Sequence, residues 1–430
     1  MRAVLFLSAV LALTACGETA KLDVAAGTGA NPELPEPNET LFPTVNIADP
    51  SPWAEGEMPT PAPGFTVTEY AGGLDSPRWM YRLPNGDMLV AETRKPPEEA
   101  SGIMAWIEKK VMSNAGAGGL PPNRITLLRD SDADGVVDER HVFLTEGLAS
   151  PFGMALVDGQ FYVANFADVR AYPYEDGMTA IAGPGRKIAD LPTMGEKAGH
   201  WTRNLLASPD GTKLYIAVGS VSNVGEAGMA VEEGRAAIHE YDIASGDMRL
   251  YGTGLRNPVG MDWNPASGEL WTAVNERDML GSDLVPDYMT SVQDGGFYGW
   301  PYSYFGDVVD TRPEPKRPDL VASAIKPDYA LGPHTASLGL AFTPAGGGAV
   351  VGQHGSWNRK PRSGYKVVYI PFSGARPGGP AQDLLTGFLV GDTAKGRPVG
   401  VTFDRTGALL VADDVGGKIW RVAPGGDAGL

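Results

Sequence analysis

The chain repeats one turn-and-strand unit six times, and this repetition limits its possible folds more than any other feature. In each unit a Gly-containing turn precedes a short apolar strand that ends on a polar residue. The six units occupy residues 84–93, 157–166, 208–220, 264–276, 343–355 and 404–416. Each follows a lead-in motif: SPRWM at residue 76, SPFGM at 150, HWTRNL at 200, NPVGM at 257, SLGLAF at 337 and RPVGV at 397. Because four-stranded all-β repeats need about 40–50 residues each, the spacing predicts an all-β fold, a six-bladed β-propeller.

A propeller brings residues that are distant in sequence to one central axis, so its pocket draws on several blades. The 430 residues include 57 Gly and 36 Pro, which suits a large β protein rich in turns. The formal net charge of −17 argues against nucleic acid as a partner and against adhesion to anionic surfaces. Only residues 98–113 depart from the β pattern, and their helical spacing predicts a short helical insertion.

The N-terminus has the pattern of a targeting segment. Arg2 and the apolar run 3–13 lead into Leu13-Thr14-Ala15-Cys16, which resembles a bacterial lipobox. We therefore expect residues 1–16 to be a lipoprotein signal peptide, with Cys16 lipidated after cleavage. The protein would then lie in the bacterial cell envelope, its propeller in the periplasm, and would meet the membrane only through the lipid anchor.

The remaining organisation follows from composition. Residues 17–60 are rich in Pro, Glu and Asn, which predicts a linker, and residues 61–425 would form the propeller domain. Cys16 is the single cysteine of the chain, so a disulfide within the chain and a haem-attaching C-x-x-C-H motif are both excluded.

Polar residues at the strand ends are candidates for the mouth of a pocket. The alternative interpretation is that these side chains hydrogen-bond the backbone of turns or face water. These residues are Glu92, Asn165, Ser220, Asn275, Glu276, Gln353, His354, Asp413 and Asp414.

Histidine is rare, with five residues in the chain, and three of them lie beside blade motifs: His200, His334 and His354. His200 has Arg203 three residues further on, a pair that could supply a base and a cation for developing negative charge. His334 and His354 are further pocket candidates, and each could equally bond loop backbone. Arg78 and Glu92 are weaker candidates of the same kind.

One acidic segment has a pattern typical of calcium sites. It reads DSDADGVVD and contains Asp130, Asp132, Asp134 and Asp138, with Gly135 permitting a sharp turn. Alternating carboxylates and one backbone carbonyl suit a Ca²⁺ shell that pins a loop. A solvated acidic turn would give the same residues.

Several segments, taken in order, resemble one family. GHWTRNLLASPDGTKLYIAVGS, GLRNPVGMDWNPASGELW and DGGFYGWPYSY are similar to the pyrroloquinoline quinone (PQQ)-dependent soluble aldose sugar dehydrogenases. EEGRAAIHEYD, VNERDMLGSDLVPDY, VGQHGSWNRKPRSGYKVV and GRPVGV resemble the branch of L-sorbosone dehydrogenases, near the pyranose dehydrogenases. The resemblance extends over about residues 65–423.

The resemblance implies a chemistry. PQQ and Ca²⁺ would lie on the propeller axis, a small-molecule sugar or aldehyde would be oxidised by hydride transfer to the quinone, and a separate electron acceptor would receive the electrons. By motif, His200 matches the family's base, Arg397 its carboxylate-binding arginine, and Arg359 a cation placed against PQQ. Asn223 matches an Arg-Asn pair, but this chain has Gly219-Ser220-Val221-Ser222-Asn223 there, so either Arg203 or Arg256 replaces the arginine or the redox tuning differs.

Two other functions are compatible with the same fold. A calcium-dependent lactonase would need a ring of acidic and amide groups around one axial metal, which Glu92, Asn165 and Asn275 could form. A non-catalytic binding propeller is the third possibility, since propellers support many unrelated functions.

Overall fold

The computed structural model describes residues 18–39, 44–97, 118–193 and 199–425. Strands dominate these residues, which confirms the all-β propeller class. Within the described ranges there is a single α-helix, Pro318–Ser323, and the 3-10 turns are Val24–Gly27 and Met229–Glu232. The helical insertion predicted at 98–113 and the lipobox with Cys16 lie outside the described residues. None of the described helices is long and apolar enough to cross a membrane.

Six antiparallel sheets of at least four strands make up the described body, and we call them blades 1 to 6. Blades 1 to 3 consist of Pro77–Arg82, Met88–Glu92, Arg124–Arg129 and Glu139–Leu144; Met154–Val157, Gln160–Ala164, Asp168–Pro173 and Arg186–Asp190; and Leu205–Ala207, Lys213–Val218, Ala237–Asp242 and Met248–Thr253. Blades 4 to 6 consist of Pro258–Trp263, Leu270–Val274, Pro286–Ser291 and Tyr329–Pro333; Ser337–Phe342, Gly348–Gln353, Lys366–Ser373 and Gln382–Thr386; and Pro398–Phe403, Leu409–Asp413, Lys418–Pro424 and Phe65–Ala71.

The chain closes the ring with its own N-terminal part. The fourth strand of blade 6 is Phe65–Ala71, which pairs antiparallel with Lys418–Pro424 from the C-terminal end. The first strands of successive blades contact one another all the way round, blade 6 meeting blade 1. Because a strand that precedes blade 1 in the chain completes the sheet of blade 6, the ring leaves no gap between its first and last blades.

The recurring lead-in motif has a structural explanation. Its glycines, Gly153, Gly260, Gly339 and Gly400, lie where one blade's first strand touches the next. A Cβ on Gly339 would lie 2.3 Å from the carbonyl oxygen of Val399, and one on Gly400 would lie 2.7 Å from that of Arg78. Only glycine permits strands to approach this closely around the axis.

The core is divided between the blades. One buried apolar cluster lies between each pair of consecutive blades, including blades 6 and 1. Between blades 1 and 2, for example, Trp79 stacks on Phe152 with ring centres 4.9 Å apart. The six predicted turn-and-strand units are the second strands of the six blades, and they are apolar because both faces of each sheet are covered.

Residues 18–39 and 44–61 pack on the propeller, in contrast to the extended linker expected from their composition. Thr28–Gly29 adds a fifth strand to blade 4, and Thr60–Pro61 extends blade 5. Trp53, 9% exposed, packs edge-on against Phe388 and Trp420. Composition did not show this because the partners of the segment are strands hundreds of residues away. Further short strands are Asp49–Pro50, Gly296–Phe297, Ser303–Tyr304, Val308–Val309, Arg376–Pro377, Leu389–Val390 and Thr393–Ala394.

Candidate functional site

The ends of the first two strands of each blade meet at one edge of the ring, which we call the rim. In blade 1 Pro77 pairs with Glu92, and in blade 6 Pro398 pairs with Asp413. Antiparallel pairing therefore places the start of every first strand beside the end of every second strand. The lead-in motifs and the strand-end polar residues, which are far apart in sequence, converge there.

His200 precedes the first strand of blade 3, and one residue fixes the position of its imidazole ring. Its Nδ1 lies 2.9 Å from the carbonyl oxygen and 3.0 Å from the Oγ of Ser220. Nδ1–H therefore donates to the carbonyl, and Nε2, which bonds no described residue, is left as the acceptor. Burial, together with the positive charge of Arg256, holds the pKa of His200 well below its ordinary value. This histidine has the properties of a neutral base.

Arg256 precedes the first strand of blade 4 and is 5% exposed. Its guanidinium donates to the carbonyl oxygen of Glu276 at 2.5 Å and to Oδ1 of Asn223 at 2.9 Å. It also contacts Asp278, at 3.3 Å. Asn223 binds the backbone N–H and the carbonyl of Asp278 in turn, at 2.8 and 2.9 Å. Asn223 thus hydrogen-bonds both Arg256 and Asp278 and fixes their relative position.

Asp278 joins His334 and Asn358 to this group. Its Oδ1 accepts from the Nδ2 of Asn358 at 2.8 Å and lies 3.3 Å from the Nδ1 of His334. Burial opposes its charge, but His334 and Arg256 prevail and hold the pKa of Asp278 below its ordinary value. Burial also opposes the charge on His334, yet Asp278 raises the pKa of His334. The second ring nitrogen donates to the carbonyl of Gly281 at 2.8 Å, which fixes the orientation of the His334 ring.

A second group at the rim comprises Arg78, His354 and Asp414. The Nε2 of His354 lies 3.0 and 3.1 Å from the two carboxylate oxygens of Asp414, and Arg78 also pairs with that carboxylate. Burial lowers the pKa of His354 despite this neighbour. The guanidinium of Arg78 lies 5.5 Å from the ring centre of Trp201, the residue after His200. This group therefore lies next to the His200 segment.

Arg397 is buried, and its guanidinium has more hydrogen-bond donors than it has acceptors to bond. It is 4% exposed, and its guanidinium carbon lies 4.7 Å from the ring centre of Tyr365. Nη1 makes long bonds to the carbonyls of His354 and Gly355, at 3.4 and 3.3 Å, whereas Nε and Nη2 have no partner. Buried donors without partners are costly unless a ligand satisfies them. The arrangement fits an anionic group at the rim beside His354.

Two of the predicted site arginines have other contacts. Arg203 donates to the carbonyls of His200, Thr202 and Pro192, and its guanidinium lies 4.9 Å from the ring centre of Phe166. Arg359 donates to the carbonyls of Ser282, Pro361 and Leu22. Arg203 therefore stabilises the backbone of the His200 segment, and Arg359 binds the N-terminal segment. Of the predicted arginines, Arg256 is the cation beside the ring of His200.

The strand-end residues that a lactonase would need as metal ligands already form hydrogen bonds within the protein. Glu92 accepts from Arg124 at 2.6 and 2.9 Å. Asn165 donates to the carbonyl of Gly147 at 2.9 Å, and Asn275 donates to that of Ser337 at 2.7 Å. Their arrangement matches the turn-bonding interpretation.

The acidic hairpin joins the third and fourth strands of blade 1, at the outside of the ring. One carboxylate oxygen from each of Asp130, Asp132 and Asp138 lies within 4.8 Å of the others, the one such group found among the described residues. Asp134 is not part of this group, and its Oδ1 accepts from the N–H of Val136 at 2.8 Å. Gly135 has φ of 89°, the conformation that the sharp turn requires.

Sequence reasoning did not select Asp278, Asn358 or Trp201, and it named Asp414 only as a strand end. Asp278 lies two residues beyond the polar end of a second strand, and Asp414 lies one residue beyond Asp413. The useful signal would have been the residues just past each strand end, where the chain turns over the rim.

The chain resembles two curated relatives. A pyrroloquinoline quinone-dependent pyranose dehydrogenase of Coprinopsis cinerea is 25% identical over 425 aligned residues, with 84% of this chain and 54% of the relative covered. A pyrroloquinoline quinone-dependent sugar dehydrogenase of Hypocrea jecorina is 26% identical over 323, with 63% and 73% covered. The chain thus spans about half the length of the Coprinopsis enzyme, 54%.

Solved structures show the same fold. The holo form of the pyranose dehydrogenase PQQ domain from Coprinopsis cinerea superposes with a TM-score of 0.68 at 23% identity, covering 87% of this chain and 99% of that domain. A family model described as TrAA12-like matches residues 122–293 and 311–424, more than half of the chain. The protein belongs to the TrAA12-like family.

Proposed function

We propose that this protein is a PQQ-dependent dehydrogenase that oxidises an aldose or a related sugar aldehyde such as sorbosone. Family membership and the names of the relatives support the class of reaction. The observation that carries the proposal is the presence at the rim of both a histidine with a lowered pKa and a free Nε2, His200, and a buried arginine with two unpartnered nitrogens, Arg397.

The donors at the rim fit the cofactor. PQQ is a polycarboxylate, and carboxylates in proteins are bound by cations and amide donors. Arg397 offers Nε and Nη2, and Arg78 offers an Nε that is also buried without a partner. These two arginines would hold cofactor carboxylate on the side of His354. When bound, the cofactor supplies a two-electron acceptor for hydride.

The residues of the chain supply the proton chemistry. As the substrate carbon gives up hydrogen with two electrons, its hydroxyl proton moves to Nε2 of His200 and a C=O bond forms. Ser220 fixes the ring so that Nε2 is the basic atom. Arg256 opposes protonation of His200 before substrate binds, because its charge lowers the pKa of that histidine.

We propose two places for Ca²⁺. One ion would act with the cofactor at the axis as a Lewis acid. The other would bind the hairpin through Asp130, Asp132 and Asp138, where the Oδ1 of Asp130 is buried without a partner. The second ion would pin a loop at the outside of the ring, away from the reaction.

A titration tests the proposal directly. Purified apo-protein would be titrated with PQQ in the presence of Ca²⁺ and followed by absorbance, then assayed by dye reduction against a panel of aldoses and sorbosone. We expect saturable binding and substrate-dependent reduction. Failure to bind PQQ would reject the proposal, and lactone hydrolysis that is lost on chelation would favour the lactonase instead.

The cell envelope location is also proposed. Lipidation at Cys16 would tether the protein to a membrane, and electrons would pass to a separate acceptor. In a bacterial host, Cys16→Ser should move the protein from the membrane to the soluble fraction. Unchanged membrane association of the variant would contradict a lipid anchor.

A further inference from the structure

The carboxylate of Asp414 stands where three blades meet at the rim. Asp414 itself follows the second strand of blade 6, Arg78 lies in the first strand of blade 1, and His354 follows the second strand of blade 5. All three are mostly buried, with side-chain exposures of 8%, 14% and 20%. One carboxylate thus fixes a cation and an imidazole from neighbouring blades.

The hydrogen bonds determine which nitrogen of His354 carries the proton. A carboxylate only accepts, and Nε2 lies 3.0 and 3.1 Å from its two oxygens, so Nε2 must be the protonated nitrogen. Burial disfavours the doubly protonated form, and the charges of Arg397 and Arg78 add to this effect. Nδ1 is therefore a lone-pair acceptor, and it bonds no described residue.

We propose that Asp414 is a positioning residue that holds His354 in the Nε2–H tautomer, so that Nδ1 accepts a hydrogen bond from a hydroxyl of the sugar. The inference rests on the proposed function. It assigns to the rim a second hydroxyl-binding point besides His200, which orients the substrate and takes no proton from it. Arg78, paired with the same carboxylate, keeps Asp414 ionised and in place.

The imidazole tautomer can be measured without turnover. The protein has five histidines, so a two-bond ¹H–¹⁵N spectrum of the apo-protein is simple, and His354→Gln assigns the resonances of that ring. We expect a protonated Nε2 and an unprotonated Nδ1 in the wild type. In Asp414→Asn the amide NH₂ can donate to Nε2, so the proton should move to Nδ1, and Asp414→Glu should restore the original pattern.

The kinetic consequence is specific to substrate binding. Losing one acceptor for a sugar hydroxyl should raise KM by about tenfold in Asp414→Asn, with a smaller change in kcat. A matched control is Asp87→Asn, since the side chain of Asp87 is 6% exposed, close to the 8% of Asp414, and pairs with Arg129 at 2.7 and 2.9 Å in the turn between the first two strands of blade 1, away from the rim. The control should alter neither the tautomer nor KM.

The outcomes separate this inference from the proposed function. A wild-type His354 with its proton on Nδ1 overturns the inference even if the enzyme is active. An unchanged tautomer and KM in Asp414→Asn does so as well. A wild type that does not bind PQQ rejects the proposed function instead, while the tautomer measurement still decides the role of Asp414.

Discussion

The replacement of Arg397 by methionine gives the sharpest test of the rim as a cofactor site. Methionine preserves most of the aliphatic volume over Tyr365 but removes the guanidinium. In the structure Nε and Nη2 of Arg397 have no partner, and Nη1 makes only long bonds at 3.3 and 3.4 Å. The guanidinium therefore contributes little to the stability of the apo-protein.

The cofactor-bound state should respond very differently. Two charge-assisted hydrogen bonds to a cofactor carboxylate are worth about 1.5–3 kcal/mol each, or about 3–6 kcal/mol together. At 1.4 kcal/mol per factor of ten, Arg397→Met should weaken PQQ binding by at least about 100-fold. The Tm of the apo-protein should change little.

The matched control is Arg203→Met. Arg203 is fully buried and belongs to the same rim segment as His200, but it donates to three backbone carbonyls. Its loss should lower Tm while PQQ affinity is largely retained. Absorbance titration and thermal denaturation of both variants provide the comparison. The reasoning is refuted if Arg397→Met binds PQQ like the wild type, or if Arg203→Met has the greater effect on affinity.

Four further predictions concern His200, the acidic hairpin and the N-terminal segment. His200→Gln should lower kcat by about 10²–10⁴-fold with PQQ binding retained. In the wild type the acid limb of kcat/KM should lie below the ordinary histidine pKa, since the neutral base persists to lower pH; a limb at or above that value would contradict the assignment. Ca²⁺ at about 100 times its Kd should raise the unfolding free energy by about 2.7 kcal/mol, and Asp132→Asn should abolish this gain without loss of turnover. A wild-type Tm that is indifferent to chelator would argue against the hairpin site. Trp53→Phe removes the indole bond of 2.8 Å to the buried Asp413 and should lower the unfolding free energy by about 1–3 kcal/mol in denaturant titrations, whereas no loss would show that the N-terminal segment is dispensable.

The predictable part of this fold is the part that repeats. Each blade needs an apolar second strand after a tight turn, so the six strands could be placed from sequence alone. The lead-in glycines were also visible as a motif. The structural reason for these glycines was not visible in the sequence, because the atom that excludes a side chain from Gly339 belongs to Val399 of the next blade. Sequence periodicity reports the contacts within a blade and leaves those between blades hidden.

The N-terminal segment shows the limit of arguments from composition. Its many Pro residues and few apolar ones predict a segment that forms no core of its own. The segment instead completes cores that other elements have built. Trp53 packs between Phe388 and Trp420 while its indole N–H bonds Asp413. A segment can therefore have a linker's composition and still belong to the folded domain.

At the site, the histidines could be selected from sequence but their chemical states could not. His200, His334 and His354 are the same residue type beside similar motifs, yet the structure makes them different. Burial and the charge of Arg256 lower the pKa of His200, whereas Asp278 raises the pKa of His334 against the effect of burial. The roles proposed for His200 and His354 thus depend on which ring nitrogen is bonded within the protein, Nδ1 in His200 and Nε2 in His354. Those bonding partners lie in loops beyond the strand ends and, for His354, in the neighbouring blade, so the sequence pattern within a blade does not show them.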